Sequence, residues 1–342
     1  MPPRPNNLRM NLMQVMAEEK TPELPNNRLL TLRVRKIRHE TPDIASFELV
    51  NPDGHALPSF TAGAHLDIRI TDKLRRQYSL CNDPKERDRY VVAVLKDPAG
   101  RGGSRAMHEI AEGAMLTVSE PINRFPLAGR EARSHLLLAG GIGVTPMMAM
   151  IAELEAQKRP WHMHYCTRSR DRTAFLDRLE PYIAANKVEL HHDNGDPARG
   201  LDIGKALSNF EIGTHLYYCG PAGFMTAAKK AVGAWPTYNV HCEYFEAAED
   251  RPASESGPFQ IKIKSTGQVL DVPADKTIVA VLRENGFDVA TECEDGYCGT
   301  CITRYLEGEP EHRDTVLSEG ERKTYVMVCC ARSKSPMLVL DP

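Results

Sequence analysis

The stretch Cys293-Glu294-Asp295-Gly296-Tyr297-Cys298-Gly299-Thr300-Cys301 decides how this chain is read. Three thiols fall at C-x4-C-x2-C, the plant-type iron–sulfur spacing. Thiolates on one tight loop can share a 2Fe–2S cluster, and Gly296 and Gly299 let backbone N–H groups approach the sulfurs with no Cβ in the way. A remote fourth ligand closes the cage. Cys329 and Cys330 are both candidates: along Tyr325-Val326-Met327-Val328-Cys329-Cys330 strand alternation puts them on opposite faces, which does not choose between them. Zinc usually takes two close pairs, and here the second pair is missing. The loop therefore predicts a cluster and a protein that moves single electrons.

Working outward, Glu246 to Pro258 is rich in Ala, Ser, Pro and acids and reads as a linker. Beyond it Phe259-Ile261-Ile263 alternates, Ser265 to Gln268 turns, and Val269 to Val272 returns as a hairpin. Asp275 is the expected cap of a short helix that turns Ile278, Val281 and Leu282 inward and stops at Gly286. Two strands and a helix before the cysteine loop suggest a β-grasp domain.

Further upstream, Ser134 to Ala139 reads as a buried parallel strand running into Gly140-Gly141-Ile142-Gly143-Val144-Thr145-Pro146. Pro146 suits the first position of a helix carrying Met147, Met150, Ile151 and Leu154 on one side. Strand, glycine turn and helix are half of a nucleotide-binding unit. Strands at His162–Tyr165, Val188–His191 and His215–Tyr218, the last leading into Cys219-Gly220-Pro221, imply a parallel sheet. His162, His164, His191 and His192 sit on these strands; with no carboxylate at a ligand spacing they read as structural. His312-Arg313-Asp314 imitates a kinase catalytic loop but lacks its other signatures.

From Leu29 the pattern is β-like, with Leu30-Leu32-Val34, Phe47-Leu49, Leu66-Ile68-Ile70 and Tyr90 to Leu95 separated by frequent turns. Short strands of this kind suggest an antiparallel barrel. It carries Arg75-Arg76-Gln77-Tyr78-Ser79-Leu80 and Gly100-Arg101-Gly102-Gly103-Ser104, the latter before an expected helix start at Ser104. Glycine N–H groups and paired arginines suit a phosphate, and Tyr78 offers a flat face to an aromatic ring.

The bulk properties are those of a multidomain globular protein: 342 residues, 42% hydrophobic, 26% charged. A net charge of −3 argues against nucleic-acid binding. No apolar run nears the roughly 20 residues of a membrane span, and the Pro- and Asn-rich N-terminus has no signal-peptide core. Nine cysteines spaced as ligands point to a reducing cytoplasm. Residues 1–28 read as a disordered tail, with Met10, Met13 and Met16 as alternative starts. The expected architecture is an antiparallel barrel over 29–130, a parallel α/β nucleotide domain over 131–246, a linker over 247–257 and a β-grasp domain over 258–342.

From Leu29 to Asp341 the chain resembles the phthalate dioxygenase reductase family, reductases of Rieske-type oxygenases built on the ferredoxin–NADP reductase plan. The match rests on Arg76 to Asp83, Gly100 to Ser104, Gly140 to Pro146, Cys219-Gly220-Pro221, the cysteine loop, and Met327 to Leu340. The resemblance implies that the barrel binds flavin and that the last domain is a ferredoxin. It implies FMN, a 2Fe–2S cluster on Cys293, Cys298, Cys301 and Cys329, and NADH in preference to NADPH. It places Arg76, Gln77, Tyr78, Ser79, Val94, Leu95 and Lys96 at the flavin, with Gln77 departing from the common Thr. Gly102, Gly103, Ser104 and Arg105 would take the phosphate end. Thr145 would lie near the flavin and Phe245 against its ring. Gly140, Gly141, Gly143, Thr167, Arg168, Cys219 and Gly220 would bind the nicotinamide cofactor, with Ser79, Cys219 and Phe245 around the reacting atoms. Arg170 and Arg172 could accept a 2′-phosphate.

The resemblance thus implies an NADH-dependent reductase, monomeric, passing electrons to a Rieske-type oxygenase. A haem monooxygenase reductase and a redox sensor are the alternatives. Glu292, Glu294, Asp295, Glu307, Glu309 and Glu311 crowd the cluster domain, either as a solvated face or as a dock for a basic partner.

Overall fold

The computed structural model describes residues 29–71, 74–98, 100, 102–129, 131–245, 257–291, 296, 299–314, 316–317 and 319–342. The expected tail, nearly all of the expected linker, and Cys293, Cys298, Glu292, Glu294 and Asp295 lie outside them.

Alternating apolar residues build the first sheet from β1 (Leu29–His39), β2 (Ile44–Val50), β3 (Ala64–Thr71), β4 (Leu74–Ser79), β5 (Tyr90–Leu95), β6 (Met115–Ser119) and β7 (Ile122–Asn123). The order is β4-β3-β6-β1-β2-β5 with β7 on β3, and the pairings are antiparallel. A bridge from Leu80 to Val92 brings the end of β4 onto β5, so the sheet curls round on itself. Leu32, Val34, Phe47, Leu49, Leu66 and Val118 point inward and are buried, the every-second-residue pattern of a barrel wall. A short helix, α1 (Gly103–His108), is held to β5 by His108, whose ring meets the Val94 carbonyl at 2.9 Å. It begins one residue before the expected Ser104. That hydroxyl is taken up instead by the turn, accepting from Asp97 N at 3.0 Å.

The second module alternates strand and helix: β8 (Ser134–Gly140), α2 (Val144–Gln157), β9 (Trp161–Thr167), α3 (Leu176–Ala184), β10 (Val188–His192), α4 (Ile203–Ser208), β11 (Thr214–Cys219), α5 (Ala222–Ala231) and β12 (Val240–Glu243). All pairings are parallel, in the order β10-β9-β8-β11-β12. α2 starts at Val144, so Pro146 is its third residue, not its first. It still falls among the residues whose N–H has no partner in the helix. Leu137, Met147, Met150 and Tyr165 belong to a core continuous with the barrel interior; Leu138, Leu216 and Tyr218 pack on the other face with Leu207, Met225 and Trp235. Barrel and sheet are also pinned by Arg38–Asp177 at 2.9 Å, by Arg178 donating to Cys81 O at 2.9 Å, and by Ala62 N donating to Glu153 at 3.1 Å.

The third module has its own core. Its elements are β13 (Phe259–Ile263), β14 (Val269–Val272), α6 (Ile278–Glu284), β15 (Ile302–Glu307), β16 (Pro310–Glu311), β17 (Tyr325–Met327), β18 (Arg332–Ser333) and β19 (Met337–Asp341). The main sheet runs β14-β13-β19-β15-β17, with β13 and β19 parallel, and β16 pairs with β18. α6 buries Ile278, Val281 and Leu282 as expected. Its cap is Thr277 rather than Asp275: the Thr277 hydroxyl accepts from Ala280 N at 3.2 Å, and Asp275 lies two residues too early to reach that donor. Arg332 fastens the start of this module, donating to Gly257 O at 3.0 Å, Pro273 O at 3.0 Å and Lys276 O at 2.6 Å while stacked on Phe259.

Candidate active site

In the parallel sheet β8 is central, with β9 on one side and β11 on the other. A crevice opens where strand order reverses like this. The Gly140-to-Gly143 turn leaves β8 there, and Cys219-Gly220 leaves β11 beside it. A Cβ at Gly143 would run into the Cys219 carbonyl, and one at Gly220 would lie 2.6 Å from the Phe224 ring. The two turns therefore touch through bare backbone, which only glycine permits. Thr167 ends β9, its hydroxyl engaged by Thr173 at 2.8 Å and His192 at 2.9 Å. Arg168 and Arg170 are exposed at this rim. Arg172 is drawn away to the barrel, paired with Asp43 at 2.5 Å.

Where sheet meets barrel, three strand ends converge. Ser79 closes β4, Glu243 closes β12, and Cys219 is the register partner of Glu243. The Ser79 hydroxyl donates to Glu243 Oε2 at 3.1 Å. Burial pushes the Glu243 carboxyl up to about 7, against the opposing pull of the Ser79 bond. Burial, reinforced by Glu243, also pushes the Cys219 thiol well above its usual range. A thiol held protonated is no nucleophile. Thr145 is buried, donating to Ile142 O at 3.0 Å. Phe245 packs partly buried against the shared core.

Glu243 escaped the sequence reading. It belongs to no motif, and its only signal was its place at the end of a strand leading to Phe245.

On the barrel, Arg76 and the glycine turn come together. A Cβ at Gly103 would lie 2.6 Å from Arg76 Nε, so the guanidine side chain lies across the turn. Gly102 takes φ 89°, a backbone state that suits glycine. Tyr78 is half-buried, its hydroxyl pushed up by burial. Val94 is buried; Leu95 and Gln77 are partly covered. Lys96 N donates to Asp43 O at 2.7 Å, and Arg105 points to solvent. Arg76, Gly102, Gly103 and Ser104 form a small basic cradle that fits a phosphate.

At the cysteine loop, β15 and β17 pair antiparallel with Ile302 opposite Met327. Cys301 immediately precedes the one and Cys329 follows the other by two residues, so both buried cysteines reach the same end of the pair. Cys329 and Cys330 occupy a turn after β17, so the expected strand alternation does not apply to them. Cys330 donates to Met327 O at 3.7 Å and packs on Gly296. Across the domain boundary, a Cβ at Gly299 would collide with the Arg124 guanidinium of the barrel. Arg124 also helps keep the buried His65 uncharged, after burial itself. Arg124 thus reaches from the barrel to Gly299 of the cysteine loop, and no motif marked it.

Fold and site together define a modular pyridine-nucleotide reductase ending in a ferredoxin domain. Residues 261–334 match the 2Fe-2S iron-sulfur cluster binding domain, and residues 118–238 match the N-terminal domain of dimethylamine monooxygenase subunit DmmA-like proteins. The chain is 48% identical over 323 residues, 91% of its length and 96% of the relative's, to the tert-butanol monooxygenase / tert-amyl alcohol desaturase reductase subunit of Aquincola tertiaricarbonis. It superposes on phthalate dioxygenase reductase, described as a modular structure for electron transfer from pyridine nucleotides to [2Fe-2S], with TM-score 0.69 and 41% identity, covering 92% of this chain and 98% of that one. It also matches an intact type IV self-sufficient cytochrome P450 monooxygenase, with TM-score 0.82 and 36% identity, over 92% of this chain and 41% of that one. The chain belongs to the phthalate dioxygenase reductase family.

Proposed function

We propose that this chain takes electrons from NADH and delivers them singly to a Rieske-type oxygenase, as a cytoplasmic monomer. It is an oxidoreductase of the oxygenase-reductase kind. FMN supplies a two-electron acceptor that can release its electrons one at a time to a one-electron 2Fe–2S acceptor. The chain's own residues bind, orient and shield. Arg76 with the Gly102–Ser104 turn holds the phosphate of the flavin. Ser79 and Glu243 present a hydroxyl and a protonatable carboxyl where barrel and sheet meet, so a proton can be held beside the reacting atoms. Cys219 stays a thiol and fills space there, and Phe245 covers the site against water. Gly140, Gly141, Gly143 and Gly220 leave room for a dinucleotide backbone. Cys293, Cys298, Cys301 and Cys329 hold the cluster, and Arg124 keeps the cluster loop against the barrel.

The observation carrying this reading is the meeting of Ser79, Glu243 and Cys219 from three strands at one point. The engagement of Arg172 by Asp43 favours NADH, since it leaves fewer cations for a 2′-phosphate. The test is steady-state reduction of cytochrome c with each nucleotide. A higher kcat/KM for NADH supports the reading, and a preference for NADPH contradicts it.

A haem monooxygenase partner is the second reading, favoured by the match of this chain to 41% of a self-sufficient cytochrome P450 monooxygenase. Co-purification of the natural partner decides between them: a haem spectrum sinks the Rieske assignment. No helix among the described residues is long and apolar enough to cross a membrane.

A further inference from the structure

Edge strand β10 and its neighbour β9 in the nucleotide sheet carry four metal-competent side chains on one face. His162 and His164 stand two apart on β9, and Glu189 and His191 two apart on β10. Glu189 is the register partner of His164, and alternate residues of a strand share a face. Leu136 and Leu138 of β8 are the register partners of His162 and His164, and they pack in the α4–α5 cluster. The histidines thus continue that face outward to the edge strand.

Sequence spacing hid the group, because its carboxylate comes from the neighbouring strand. His162 Nε2 lies 3.3 Å from Glu189 Oε1, and His164 Nδ1 lies 3.6 Å from Glu189 Oε2. His191 Nε2 lies 3.1 Å from His164 Nδ1 and 3.9 Å from Glu189 Oε2. A tetrahedral zinc ion with bonds of about 2.0–2.1 Å holds its donors about 3.3–3.4 Å apart. These four of the six donor pairs bracket that figure, with His191 joined to the group through His164 and Glu189.

His162, His164 and Glu189 already lie within 4.8 Å of one another, and His191 adjoins two of them. A neutral imidazole nitrogen is a good zinc ligand. The Glu189 carboxylate offsets the metal's charge.

We propose that His162, His164, Glu189 and His191 bind one Zn2+ ion, clamping edge strand β10 to β9. Three nitrogens and one carboxylate oxygen suit zinc, and Cu2+ would compete by the usual affinity order. The clamp bears on the nucleotide crevice, since the next residue of β10, His192, holds the Thr167 hydroxyl at 2.9 Å.

The experiment is calorimetric titration of Zn2+ into untagged protein with its visible chromophores intact, so that neither a histidine tag nor emptied cysteines take up the metal. One ion per chain at micromolar affinity, with a rise in Tm, is expected. Glu189→Gln and, separately, His162→Asn should weaken binding more than about tenfold, since even loss of an outer-shell partner costs that much. Both changes are at partly exposed positions and should leave the visible spectrum unchanged. Absence of uptake below millimolar Zn2+, or unaltered affinity in both variants, overturns the proposal.

Discussion

Replacing Glu243 by Gln isolates a carboxyl that burial at the junction of barrel and sheet pushes up to about 7. In the folded chain burial raises this group from 4.5 to about 7. The native state therefore holds a proton that the unfolded chain has already released. Its contribution to stability is fully present below pH 4.5 and is lost as pH rises through 7. At about 1.4 kcal/mol per pH unit of difference, the loss amounts to at most about 3 kcal/mol. Glutamine is neutral throughout and cannot lose it. Urea unfolding of both proteins, each with flavin bound, at pH 5 and pH 8 gives the comparison. The stability of the native protein relative to the variant should fall by about 2–3 kcal/mol between the two pH values, and kcat with NADH should drop in the variant. Parallel stability curves would show that Glu243 titrates normally, and the account of a held proton would fail.

Arg76→Ala should remove one charge-assisted phosphate contact and weaken FMN about 10–100-fold, or about 1.5–3 kcal/mol, measured by flavin retention on dialysis; undiminished retention would place the phosphate elsewhere. Cys329→Ser should abolish the cluster spectrum while Cys330→Ser preserves it, because Cys330 is spent on Met327 O; the opposite pair of spectra would exchange the ligands. Arg124→Ala should leave NADH-driven flavin reduction intact and slow reduction of the cluster in stopped flow, since it frees the loop from the barrel; equal rates would reduce Arg124 to a surface contact. Turnover with the oxygenase should fall with added salt if Glu307, Glu309 and Glu311 dock a basic partner. Glu309 and Glu311 already pair with Lys334 and Arg313, at 3.5 and 2.8 Å, so a shallow salt slope is expected.

The barrel, the parallel sheet and the β-grasp were legible because each rests on a local pattern. Alternation of Leu32 and Val34, the glycine turn after a wholly apolar strand, and three thiols on one loop carry their geometry within a few residues. Small errors came from neighbours too close to separate: Thr277 against Asp275 as a cap, Gly103 against Ser104 as a helix start. The hidden features are those that strand register assembles. Glu243 acquires its meaning from Ser79, 164 residues earlier. Glu189 meets His162 and His164 from the adjacent strand, and Arg124 reaches Gly299 from another module. None of these pairs leaves a trace in linear spacing, because the distances that matter are set by packing.

The central claim is an electron path from a dinucleotide through a flavin to an iron–sulfur cluster within one chain. Anaerobic titration with NADH, followed by visible absorption and electron spin resonance, tests it most directly. Two electrons for the flavin and one for the cluster require about 1.5 equivalents per chain, with both chromophores bleaching. An endpoint at one equivalent with the cluster still oxidised, or a preparation holding zinc and no iron at the four cysteines, would contradict it.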